Sequence, residues 1–185
     1  MHYNTYDKGY FPSKGIDLQG NYSLYTDNLT QYKGHAPFSA LTASWASVFS
    51  VTDRFALIPS LYGRILIGKD IPYPYLNAIG GDNFGHYLPQ QLPFAGIPNL
   101  EIVDNSVIIA GLKVRQRIGG KNYVTLTGNV ALREDNFFDI LSGKPVWGGS
   151  LGYGYDSLFG PLEASFGYSS RAHDVGFYVN LGYVF

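Results

Sequence analysis

Gly148-Gly149-Ser150-Leu151-Gly152 has the G-x-S-x-G spacing of a hydrolase nucleophile elbow. That chemistry needs the serine on a strained turn between a strand and a helix, with its hydroxyl exposed. Here the motif lies inside an alternating run and no helical pattern follows it, so its small residues read as one face of a strand. The four histidines, His2, His35, His86 and His173, are dispersed at expected strand ends or loops. No pair has zinc-ligand spacing with a third ligand, and there is no Cys, so no metal or cofactor is expected. His86, or His173 beside Asp174, could act as the base of a lipid-modifying enzyme only with a serine and an acid in hydrogen-bond reach.

A larger set of charges shares one side of its strands: Arg64, Lys113, Arg115, Arg117, Arg133 and Arg171, against Asp17, Asp156 and Glu163. A cationic wall of this kind could select anions or steer an acidic solute through a channel. The alternative is a structural network in which these groups pair with one another inside a plugged barrel.

The elements that position these residues are strands. From Val146 to the end, three runs alternate two chemistries. Trp147, Leu151, Tyr153 and Tyr155 oppose Gly148, Ser150, Gly152 and Gly154; Leu162, Ala164, Phe166 and Tyr168 oppose Glu163, Ser165, Gly167 and Ser169; Val175, Phe177, Val179, Leu181, Tyr183 and Phe185 oppose Gly176, Tyr178, Asn180, Gly182 and Val184. Alternate side chains of a strand point to opposite sheet faces. Five earlier runs repeat the scheme, at about 16–25, 41–51, 55–67, 106–118 and 124–133. Pro59 inside the third demands an edge, a bulge or a break in the ladder.

Which side the oily stripe faces follows from its counterpart. The exterior of a soluble barrel is rich in Lys and Glu, whereas here the polar face is mainly Gly, Ser, Thr and Asn, which suits a crowded lumen. The apolar face, with Tyr, Phe and Trp near strand ends, suits lipid and its interfaces. Composition agrees. In 185 residues, charged residues are 15%, against about 25% in ordinary soluble domains, and aromatics are 16%. No apolar run approaches the roughly 20 residues of a membrane helix. A net charge of -1 argues against nucleic acid as a partner. The expectation is an all-β, antiparallel up-and-down transmembrane barrel of about eight strands, alone or as half of a sixteen-stranded one. It would be a single domain over residues 1–185, with residues 1–14 as lead-in and turn and 69–99 as the long external loop. Residues 1–20 lack a basic start followed by an apolar core, so the chain reads as a mature form or the tail of a longer polypeptide. Short connections at one mouth and longer ones, 27–37, 69–99 and 134–145, at the other, where only the tight His173-Asp174 turn is short, are the asymmetry of outer-membrane barrels.

Three stretches carry a family resemblance: Tyr10-Phe11-Pro12-Ser13-Lys14-Gly15 at a turn, Phe159-Gly160-Pro161-Leu162 opening the penultimate strand, and Asn180-Leu181-Gly182-Tyr183-Val184-Phe185 closing the last. In that order, with five strands after a long loop, the chain resembles the C-terminal half of the barrel in the bacterial surface antigen superfamily. That superfamily includes the insertase of the BAM complex, two-partner secretion transporters and the barrels attached to patatin-like phospholipases. Insertase members carry a Val-Arg-Gly-Phe-like motif in the long loop. This chain departs from it with Ile79-Gly80-Gly81-Asp82-Asn83-Phe84, and with Gln90 to Gly96 it looks closer to the patatin-linked barrels. The resemblance implies a non-enzymatic anchor or pore in the outer membrane of a Gram-negative bacterium, linked to protein assembly or translocation. It ranks insertion of the long loop into the lumen above an external aromatic girdle. Outer-membrane lipid would be its surroundings, with a homodimer or larger outer-membrane complex as its assembly. The other readings are a lipid-modifying enzyme on a small barrel and a soluble lipocalin-like carrier.

Overall fold

A computed structural model describes residues 1–26, 37–81, 90–97, 100–143 and 145–181. The strands are β1 (His2–Asn4), β2 (Gly15–Tyr25), β3 (Phe38–Thr52), β4 (Phe55–Ile67), β5 (Ala78–Ile79), β6 (Gln91–Leu92), β7 (Glu101–Ile102), β8 (Ser106–Gly119), β9 (Asn122–Glu134), β10 (Val146–Ser157), β11 (Gly160–Ser169) and β12 (Val175–Leu181). Nine of them make one sheet in the order β1-β2-β3-β4-β8-β9-β10-β11-β12, each pair antiparallel. The fold is therefore all-β, as the alternation requires, and β4 has the bounds its sequence pattern gives.

One feature departs from the sequence reading: the sheet is open, with β1 and β12 as its edges. Within the lead-in His2–Asn4 is a short ninth strand paired with Asp17–Gln19, and within the long connection β5, β6 and β7 form a small sheet of their own in the order β6-β5-β7. Pro59 is accommodated by a local break: β4 pairs with β3 at Ser60 and again at Leu57, skipping Ile58 and Pro59, while its ladder to β8 runs through. A residue without an N–H can sit in a ladder only where the neighbour asks for none.

The sheet curls. Asp17 of β2 and Asn180 of β12 border the same cavity, of about 560 Å³, together with residues from every strand between them. The two faces have opposite chemistry. On the convex side Leu112, Phe166 and Leu181 are 47%, 59% and 75% exposed, with Trp147, Leu151 and Phe177 beside them in the same class. On the concave side Arg64, Arg115, Ser150, Ser165 and Ser169 are buried. Turns of two residues join β3 to β4, β8 to β9 and β10 to β11 at one end, whereas the other end carries the connections spanning 26–37, 68–105 and 135–145 and the shorter one at 170–174.

The concave face is not polar throughout. Near the long connections Val107, Ile109, Ala131 and Val146 are buried and form a core with Ile79, Leu92, Phe94, Ile97 and Val103 of the connection 68–105. Apart from Ala131, each such side chain contributes about 1.5–3 kcal/mol when taken out of water. The cue is in the run Val107-Ile108-Ile109-Ala110, where alternation gives way to a continuous apolar stretch, so that Val107 and Ile109 bring apolar side chains to the inner face while Ile108 and Ala110 stay on the outer one.

Candidate functional site

The polar wall works as two groups. At the end of the long connections, three of its arginines grip the connection between β4 and β8. Arg64 donates through Nη1 to Asn77 Oδ1 at 2.7 Å and to the Tyr75 carbonyl at 3.1 Å. Asn77, fully buried, returns the grip by donating from Nδ2 to the carbonyls of Arg64, Asp104 and Asn105. Arg133 pairs with Asp104 at 2.9 Å, and Arg171 with Glu101. Tyr25 and Phe38, stacked at 4.7 Å, hold Tyr75 edge-on at 4.9 and 5.1 Å and so fix where the connection begins.

Between these ties the connection is seated in glycine. Phe94, Ala95 and Gly96 lie against β10 and β11 where the concave wall has no side chains. A Cβ on Gly148 would overlap the Ala95 carbonyl and come within 2.8 Å of the Phe94 ring, and one on Gly167 would come within 2.8 Å of Gly96 Cα. Gly96 itself, at φ +85°, packs on the backbone of Tyr168 so closely that a Cβ has no room. The glycines of the G-x-S-x-G run thus serve packing. Ser150 lies within β10 and is buried, and among the described residues no helix follows it.

The second group faces the cavity, toward the end with the two-residue turns. Lys113, Arg115 and Glu163 line it with Tyr6, Asp17 and Tyr62. Arg115 donates to the Pro12 carbonyl, with its guanidinium carbon 5.8 Å from the Phe11 ring centroid and 5.9 Å from that of Tyr123. Arg117 joins neither group: it sits further along β8, where its backbone N–H donates to the Arg54 carbonyl at 2.7 Å. Of the loop motif, Ile79, Gly80 and Gly81 are buried, and the Gly81 carbonyl accepts from the Phe94 N–H at 3.1 Å. Asp82, Asn83 and Phe84 lie outside the described residues, as do His35, His86 and Gly182–Phe185.

Two acids of the turn side have partners of their own. His2 hydrogen-bonds Asp17 at 2.8 Å. The Asp7 carboxylate accepts from the Ser13 hydroxyl, from Ser13 N–H at 2.7 Å and from Lys14 N–H at 3.2 Å. These bonds, the hydroxyl's first, hold its pKa down to about 2. Burial, followed by the charges of Asp17 and Tyr62, pushes the Tyr6 phenol up to about 12.

Sequence reasoning missed the partners of Arg64, Arg133 and Arg171. Asn77, Glu101 and Asp104 all belong to the connection between β4 and β8. Phe11 was read as part of a turn, not as a residue with a seat of its own. Compared with known families, residues 1–185 match the family model Omp85_2, described as the OMP85 superfamily. No curated protein matches the chain.

Proposed function

This chain belongs to the OMP85 superfamily, and from that premise we propose that it is an outer-membrane β-barrel domain that anchors in lipid and encloses a plugged pore. The observation that carries the reading is the inversion of burial: leucines, phenylalanines and both tryptophan-bearing strands turn their apolar side outward while arginines and serines turn in. In water each exposed Å² of apolar surface costs about 25 cal/mol, a penalty that acyl chains remove. Superfamily membership fits an outer-membrane protein of the assembly and translocation kind. The Gly80-Gly81 form supports kinship with the barrels attached to patatin-like phospholipases, and the duty assigned here is anchoring or passage rather than hydrolysis.

In lipid the sheet has to close, since unpaired backbone groups at β1 and β12 would each cost several kcal/mol there. Strand parity says how. Nine antiparallel strands in sequence leave the two edge strands running the same way, so β12 against β1 would be a parallel pair. An all-antiparallel ring instead sets β12 against β2, along an edge that β1 covers only at Asp17–Gln19. The eight long strands then close alone, or two copies close a ring of sixteen. Native mass spectrometry in detergent separates these, a monomer excluding the two-chain ring.

The pore reading is tested by ion currents in planar bilayers. Arg133 is neutralised by Asp104, whereas Lys113 borders the cavity. Lys113→Ala is therefore expected to lower anion preference, and Arg133→Ala to change it little. A chain that stays in solution without detergent and forms no currents would refute the assignment.

A further inference from the structure

Residues 5–14 join β1 to β2 without leaving the sheet's mouth. They fold back across it, toward strands three and more places away in the sheet order. Phe11, buried at φ 47°, lies flat on Tyr123 of β9, with ring centroids 4.3 Å apart and planes within 7°. A non-glycine residue with positive φ is uncommon and needs its surroundings to hold it. They do. Arg115 of β8 donates to the next carbonyl, Pro12 O, and lies within cation–π distance of both rings. On β10, Gly154 leaves the space the ring occupies, since a Cβ there would come within 2.9 Å of Phe11 Cε1 and Cζ.

The segment is also held in its own shape. Asp7 ties residues 13 and 14, the Ser50 hydroxyl donates to the Ser13 carbonyl, and Gly15, at φ +121°, passes so close to Thr5 that a Cβ would lie 2.5 Å from its carbonyl oxygen. The result is a preformed hairpin whose tip, Phe11-Pro12, is inserted in the cavity that Phe94 and Ala95 border from the other side.

We propose that residues 5–14 are a stopper for the mouth opposite the long connections, with Phe11 as its plug and Tyr123, Gly154 and Arg115 as its seat. Withdrawal of Phe11 opens the cavity to small hydrophilic solutes. The proposal rests on the pore reading for its purpose, but its geometry does not depend on lipid.

The test exploits the absence of cysteine from the chain. In the full chain, Ala46→Cys on β3 places one thiol on the cavity wall, and its reaction with a hydrophilic, membrane-impermeant maleimide is timed in detergent. Phe11→Ala and, separately, Gly154→Ala are expected to speed labelling about tenfold, the change that follows from losing one ring's stacking and burial. Gly128→Ala, where the added methyl meets nothing within 4 Å, is expected to leave the rate alone. Gly154→Ala guards against a folding artefact, because alanine suits a strand better than glycine. Labelling no faster in Phe11→Ala than in its parent overturns the stopper. Planar-bilayer currents of the same proteins distinguish the two readings: faster labelling with larger currents supports both, and faster labelling without current keeps the stopper and refutes the pore.

Discussion

Glycine at 148 and at 96 answers two different demands. Gly148 is required by a neighbour, since the Phe94 ring and the Ala95 carbonyl fill the place of its side chain; Gly96 is required by its own φ of +85° as well as by the Tyr168 backbone. Alanine at either is expected to cost about 1–3 kcal/mol through overpacking, read as a lower denaturant midpoint in detergent. Gly20→Ala, with open space around it, is expected to be neutral or to stabilise by up to about 1 kcal/mol. A second prediction concerns Asp7. Its pKa lies near 2 instead of the usual 3.8, so the tie it makes is complete above pH 3.8 and is lost as pH falls through about 2. A side-chain carboxyl titration by NMR should give a midpoint near 2, and Asp7→Asn should loosen the Ser13 and Lys14 amides at neutral pH. At this scale the sequence told which residues were small and which were charged. What filled the gaps beside the small ones was not legible, because those atoms come from segments over fifty residues away.

Strands were legible because their period repeats over ten or more residues; the three strands of the connection were not, because two residues have no period. Pro59 announced a break in its ladder, and the structure puts that break on the β3 side. The hold on the connection rests on one buried group more than on its surface pairs. Asn77 serves four hydrogen bonds with Arg64, Asp104 and Asn105, and Asn77→Ala leaves the buried guanidinium only its bond to the Tyr75 carbonyl and takes a donor from three other carbonyls, a loss of about 1–3 kcal/mol. Arg133 and Asp104 are each about a quarter to a third exposed, so a double-mutant cycle on that pair should give no more than about 1 kcal/mol. Protease cleavage within the connection, timed for Asn77→Ala against Arg133→Ala, should be faster in the former. Equal rates would mean that apolar burial of Phe94 and Ile97 alone holds the connection in place.

Across the whole molecule the ordering of soluble proteins is reversed, with oil outside and charge within, and segments packed against the concave wall near both mouths account for much of what lies between. Alternation made the two faces legible from the sequence, and the scarcity of Lys and Glu on the polar one gave their sense. Closure was not legible, since an edge partner leaves no periodic trace in its own strand. The claim on which everything else depends is that the convex face meets acyl chains, and the chain carries its own reporters. Trp45, paired across from the outward Leu18, and Trp147, 54% exposed, are the two tryptophans and share that face. In vesicles whose lipid tails carry bromine, their fluorescence should be strongly quenched while aqueous iodide leaves it nearly unchanged. Quenching by iodide with no effect of the brominated tails would place the oily face in water and contradict the account.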